Sequence, residues 1–170
     1  MIIWITGLPG SGKTTLSLAL KEVLESNEIN PIILDGDALR QVFDNFSYEE
    51  SDRITLAKTY AKLAKLLSDQ GHIVIVATVS LFHDVHNWNK QNNENYIEVF
   101  IKPCFDTLLT RDQKGLYTQS KKKHGGLVGK DIAAQFPITP NFSIDNRTKD
   151  DLKLNTQVIF NEIIQRIQNA

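Results

Sequence analysis

The chain has 170 residues, 41% of them apolar and 23% charged, an ordinary globular composition that excludes intrinsic disorder and suits one domain over residues 1–170. With 19 Lys and Arg against 20 Asp and Glu, the net charge of −1 supplies no broad field for nucleic acid or an anionic membrane surface. Neither partner is expected, and any polyanion site must be local. One cysteine (Cys104), no charged-then-apolar leader and a longest apolar run of only residues 73–79 predict a cytoplasmic protein rather than an exported or membrane-embedded one.

Residues 1–6 (MIIWIT) read as a strand buried on both faces and stopped by Gly7. Helical spacing starts at Lys13, with Leu16, Ala19, Leu20, Val23 and Leu24 on one side, and closes in the polar run 26–30. A second strand, 31–34 (PIIL), ends in Asp35-Gly36-Asp37, after which a short helix over 38–43 is expected with Asp37 as its cap. Helix three covers 51–70, with Ile54, Ala57, Ala61, Ala64 and Leu67 at three- and four-residue spacing and Gly71 as its stop. Then follow a strand at 73–79, a helix at 82–92, a strand at 97–101 and a helix at 105–111. Residues 112–137, rich in Gly, Lys and Gln, break the rhythm and read as a mobile lid. A short strand at 141–144 precedes a helix from about 150, whose Leu152, Ile159, Ile163 and Ile167 are expected to face the sheet. Buried strands alternating with helices define an α/β class with a mostly parallel sheet covered on both faces.

The segment Gly7-Leu8-Pro9-Gly10-Ser11-Gly12-Lys13-Thr14 satisfies the phosphate-loop pattern G-x-x-x-x-G-K-[ST] and lies between a predicted strand and a predicted helix, as that motif requires. Such a loop curls backbone N–H groups around phosphate oxygens, with Lys13 reaching the outer phosphates and Thr14 placed to ligate Mg²⁺. ATP or GTP is the expected ligand. Gly7, Gly10, Ser11, Gly12, Lys13, Thr14 and Thr15 are the candidate triphosphate-binding residues. Asp35 and Asp37 end a strand at the side of the sheet that borders ligands in open parallel folds. One of them can accept the proton of an attacking hydroxyl while the other organises water around Mg²⁺; the plainer alternative is that Gly36 makes a turn and Asp37 only caps a helix. Arg40, one turn on, suits a phosphate clamp or a solvated helix face. His83 and His86 lack the further ligands a zinc site needs and read as structural or acceptor-contacting. Trp88 reads as packing, and Lys121 to His124 as a solvated basic run.

The loop GLPGSGKTT, the run LDGDALR (34–40), Asp52-Arg53 and RDQKGLY (111–117) together resemble the adenylylsulfate kinase family over nearly the whole chain. This resemblance implies a P-loop kinase fold, Mg-ATP as phosphoryl donor and the ribose 3′-hydroxyl of a nucleotide as acceptor. It further implies Lys13, Asp35 and Asp37 as catalytic residues, Arg111 on ATP, and Asp37, Arg40, Arg53, Ser80, Leu81, Phe82, Lys114, Gly115 and Leu116 around the acceptor. Family members often form homodimers.

Three departures fall where the acceptor should lie. The family's Asn-Ile-Arg-Arg run is replaced by Leu56-Ala57-Lys58-Thr59, its lid aromatic by Leu127 ahead of Val128-Gly129, and its Ser-Pro-aromatic segment by Ser80-Leu81-Phe82-His83. Leucine cannot stack on an adenine as an aromatic does. The run 80–89 (SLFHDVHNWN) is similar to a branch of the family associated with surface-polysaccharide gene clusters, one activity of which is cytidine diphosphoramidate phosphorylation for capsule modification. A kinase with a changed acceptor is therefore expected, leaning to cytidine diphosphoramidate. The alternatives are a genuine adenylylsulfate kinase, a kinase for a small metabolite hydroxyl, and a nucleotide-dependent regulatory module; the last is disfavoured because the Asn-Lys-x-Asp signature of GTPase switches is absent.

Overall fold

The computed structural model describes residues 1–45, 47, 49–102, 104–111, 128, 129 and 131–169. Five strands, β1 (Ile2–Gly7), β2 (Ile32–Asp35), β3 (Val74–Thr78), β4 (Tyr96–Ile101) and β5 (Phe142–Ile144), form one all-parallel sheet in the order β2-β3-β1-β4-β5. Among the described residues six helices connect and cover them: α1 (Lys13–Glu25), α2 (Gly36–Val42), α3 (Glu50–Asp69), α4 (His83–Asn92), α5 (Phe105–Arg111) and α6 (Lys149–Gln168).

Every residue of β1 is buried, because alternate side chains enter different cores. Ile3 and Ile5 meet Leu16, Leu20 and Leu24 of α1 and Ile159 and Ile163 of α6. Ile2 and Trp4 meet Leu56, Ala57, Ala61 and Ala64 of α3 and Val85 of α4. Small alanines at three- and four-residue spacing let α3 lie close to the sheet. Chain order places α1 on one face and α3 with α4 on the other, so the connections leaving the neighbouring strands β1 and β3 diverge. That divergence opens a crevice at the carboxyl ends of those strands, which is where open α/β sheets take ligands. None of the described helices is long and apolar enough to cross a membrane.

Element type agrees with the sequence reading throughout, with boundaries moved by one or two residues. Two local expectations are corrected. The cap of α2 is Asp35, not Asp37: its Oδ1 accepts from the backbone N–H of Asp37 (3.0 Å) and Ala38 (3.4 Å), two and three residues on, the reach of a capping carboxylate. Ile167 is 40% exposed instead of facing the sheet. A 20-residue helix runs about 30 Å against about 20 Å for a six-residue strand, so the last turn of α6 overhangs the sheet. The expected lid lies largely outside the described residues, including Lys114, Gly115, Leu116, the 121–124 run and Leu127.

Candidate functional site

The phosphate loop joins β1 to α1 across residues 8–12 and is shaped by glycine. A Cβ on Gly7 would stand 2.9 Å from the Ile101 carbonyl oxygen and 2.8 Å from Ser11 Oγ, so the loop can lie against β4 only with glycine there. Gly12 caps α1 in the left-handed region, φ 94°, which turns the chain into the helix at no steric cost. Lys13 folds back over the loop and donates from Nζ to the carbonyls of Gly7 (3.1 Å) and Leu8 (2.9 Å). Burial of its ammonium pushes the pKa down to about 8, against the opposing pull of Asp37 and Asp35.

Thr14, in the first turn of α1, donates its hydroxyl to Asp35 Oδ2 at 2.8 Å. Asp35 therefore uses one oxygen to hold α2 and the other to meet the phosphate loop, while Asp37 is exposed one position into that helix. Lys13, Thr14, Asp35 and Asp37 are thus brought together at the carboxyl ends of β1 and β2. Arg40 follows on α2 and directs Nη1 to the carbonyls of Ser47 (3.0 Å) and Asn45 (3.3 Å). Ser47 in turn donates its hydroxyl to Asp52, so Arg40 and the first turn of α3, which carries Arg53, are joined through one loop.

Two aromatic residues unnoticed in the sequence complete this corner. Tyr60 of α3 donates its hydroxyl to the Gly36 carbonyl (3.4 Å), and its ring stacks on Phe43 with centroids 6.0 Å apart. Burial pushes the Tyr60 phenol up to about 12; Arg40 opposes that rise and the two aspartates add to it. The only sequence signal for Tyr60 is its place on the buried stripe of α3, which reads as core.

The turn from β3 to α4 lies between this corner and the phosphate loop, since β3 stands between β2 and β1. Ser80 is buried with φ at 21°, rare for a side chain outside glycine. Its hydroxyl bonds Thr78 Oγ1 (2.9 Å), and Thr6 holds the Val79 carbonyl at 2.6 Å. Leu81 packs with Leu8, Leu108 and Val128, and Phe82 packs with the α3-side core, so both residues are buried. Lys58 of α3, one of the residues departing from the family pattern, pairs with Asp84 of α4 at 3.3 Å.

Beside the phosphate loop lies a depression lined by Ser11, Lys102, Cys104, Thr107, Asn146 and Arg147. Asn146 Nδ2 reaches the Gly12 carbonyl at 3.4 Å. Ser11 Oγ is buried and has no hydrogen-bond partner among the described residues. The one signal in the sequence for this region is that residues directly after β5 fall at the ligand end of the sheet. Behind α4, His86 bonds Glu98 through Nδ1 (2.8 Å), and Lys90 approaches the same carboxylate at 3.0 Å. Burial pushes Glu98 up, but His86 and Lys90 outweigh it and the net shift is downward. His86 is structural, and no cluster suited to holding a metal ion occurs among the described residues. Trp88 packs against the α3-side core as expected.

The sequence profile of the adenylylsulphate kinase family matches residues 1–145. The cytidine diphosphoramidate kinase of Campylobacter jejuni is 40% identical over 163 residues, covering 95% of each chain. The adenylyl-sulfate kinase of Pseudomonas aeruginosa is 36% identical over 153 residues, 88% of this chain and 78% of that one. Among solved structures, the Mycobacterium tuberculosis APS kinase in complex with AMPPNP and APS superposes with a TM-score of 0.83 at 26% identity, covering 95% of this chain and 96% of that one. With a profile match over most of its length, relatives above 30% identity along nearly all of it and the fold of a solved member, the chain belongs to the adenylylsulphate kinase family and is a kinase.

Proposed function

We propose that this kinase moves the γ-phosphoryl group of ATP onto the ribose 3′-hydroxyl of a small nucleotide, with cytidine diphosphoramidate as its acceptor. The observation that carries the transfer reading is the union of Lys13, Thr14, Asp35 and Asp37 at one end of the sheet. The acceptor reading is supported by the likeness to the Campylobacter jejuni kinase over 95% of the chain and by the departures at Lys58, Ser80–His83 and Leu127. Among these, loss of an aromatic at 127 removes a platform for a purine. The depression at Cys104, Asn146 and Arg147, contiguous with Ser11 of the loop, is the proposed seat of the ATP base.

Thr14 Oγ and Asp35 Oδ2 form a hard oxygen pair 2.8 Å apart at the loop mouth, a donor set that suits Mg²⁺. Bound there, Mg²⁺ would supply neutralisation of the phosphate oxygens. The loop N–H groups bind the triphosphate, and Lys13 exchanges its two carbonyl partners for the outer phosphates. Asp37, exposed one position into α2 and acting on the Lys13 ammonium, takes the proton of the acceptor hydroxyl, while Asp35 holds the α2 cap and Thr14. A bond forms between O3′ and the γ-phosphorus, the bond to the β–γ bridging oxygen breaks, the proton passes to the carboxylate and ADP leaves.

A coupled assay with ATP and a panel of cytidine and adenosine nucleotides tests the acceptor. Cytidine diphosphoramidate is expected to give a kcat/KM at least a hundredfold above adenylyl sulfate; the reverse order would make the chain a producer of 3′-phosphoadenylyl sulfate, the activity its Pseudomonas aeruginosa relative is named for. A second expectation comes from Lys13. With its pKa lowered to about 8, the empty enzyme loses the ammonium above that pH, so kcat/KM for ATP should fall as pH rises through 8, approaching tenfold per unit. Bound phosphate restores the charge, so kcat at saturating ATP should hold to higher pH. Equal declines of both parameters would exclude Lys13 as the titrating group.

A further inference from the structure

We propose that Gln135 is a positioning residue that fixes the turn from β3 to α4, and through it the acceptor wall of the crevice. This inference rests on the acceptor role proposed above for residues 80–82. Helix α4 starts with no side-chain cap of its own, since Phe82 occupies the cap position and has no oxygen to offer. The first N–H groups of a helix need acceptors from elsewhere. Gln135, 52 residues along the chain, supplies one: its Oε1 accepts from the His83 backbone N–H at 2.8 Å. The Gln135 backbone N–H donates to the Leu81 carbonyl at 3.0 Å. One residue thus brackets the stretch 81–83 with two hydrogen bonds.

The neighbouring contacts hold Gln135 in register. His83 Nε2 meets the Phe136 carbonyl at 3.0 Å, and the Phe136 ring lies against Phe100 of β4 with centroids 5.2 Å apart. Further along α4, Lys90 donates to the Thr139 carbonyl at 2.9 Å while paired with the buried Glu98. Residues 135–139 therefore run beside α4 from its first turn to its last. A backbone held at φ 21° at Ser80 persists only where its surroundings over-determine it. Among the described residues, Thr6 and Thr78 hold the turn at Val79 and Ser80 from the sheet, and Gln135 holds it at His83 from outside the sheet.

The chemistry required at 135 is an acceptor oxygen of amide length. Gln135→Glu keeps it, Gln135→Leu keeps the bulk and removes it, and the backbone bond to Leu81 is common to both. In steady-state kinetics with ATP and the nucleotide the wild type prefers, Gln135→Leu is expected to raise the acceptor KM about tenfold, the scale of one lost hydrogen bond that leaves a half-buried donor without its protein acceptor. Its KM for ATP should stay within twofold, and Gln135→Glu should lie within threefold of wild type on both. Amide hydrogen exchange should show protection lost over 81–86 in Gln135→Leu and retained in Gln135→Glu. Equal rises in both KM values, or indistinguishable behaviour of Leu and Glu, would overturn the proposal. If the wild type phosphorylates no nucleotide, the functional reading falls by itself, and unchanged exchange in both variants would then also dismiss Gln135 as the clamp.

Discussion

Replacing Lys13 by alanine is expected to lower turnover at saturating ATP about a thousandfold, on the scale of losing one preorganised charged donor from a transferring group. The reason lies in where the ammonium sits. It is half-buried, held by two loop carbonyls and flanked by Asp37 and Asp35, so a triphosphate entering the loop finds a cation already partly stripped of solvent. The same burial gives this variant an internal control. Because the folded-state pKa lies below the ordinary 10.5, the folded state disfavours the protonated lysine; that cost is complete below about pH 8 and fades as pH rises toward 10.5. Alanine removes it. The melting temperature of Lys13→Ala at pH 7 should equal or exceed that of wild type while activity collapses. Turnover within tenfold of wild type in the folded variant would remove Lys13 from the chemistry.

The residues that make this expectation possible were legible because they are close in sequence. Gly7 to Thr14 is a continuous motif with a strand before it and a helix after it, and Asp35 and Asp37 end the next strand. Local periodicity likewise carried every helix and strand, since the apolar faces of α1 and α3 repeat at the helical spacing regardless of what they pack against. Contacts closed across the fold were not legible. Asp35 rather than Asp37 caps α2 because the cap is fixed by where the helix begins, and a two-residue shift of that start moves the task between two identical side chains. Tyr60 looks like any core position of α3 until the fold sets it under Gly36. Gln135 stands in a stretch without apolar rhythm, where sequence shows only a lid, yet it caps a helix that begins 52 residues earlier. Depressions such as that at Cys104 and Arg147 join the ends of β4 and β5 to the loop after β1, a meeting of three chain segments that no spacing encodes.

The two aspartates, alike in sequence, should separate in experiment. Asp37→Asn is expected to lower kcat by a factor of about 10² to 10⁴, the usual contribution of a positioned general base, while ATP affinity and magnesium requirement stay near those of wild type. Asp37 is exposed at the start of α2 and is not the cap of that helix, so its amide isostere keeps the side-chain shape and the cap. Asp35→Asn should behave differently. Its amide oxygen can still accept from the N–H groups of Asp37 and Ala38, preserving the cap, but the negative charge facing Thr14 is gone. The concentration of Mg²⁺ needed for half-maximal rate should therefore rise, with part of the lost rate recovered at high magnesium. Asp35→Ala loses the cap as well, and a further destabilisation of about 1 kcal/mol is expected in denaturant unfolding relative to Asp35→Asn. Should Asp37→Asn shift the magnesium dependence and Asp35→Asn lower kcat without shifting it, the two roles are exchanged: the carboxylate bound to Thr14 would then be the one that receives the acceptor's proton.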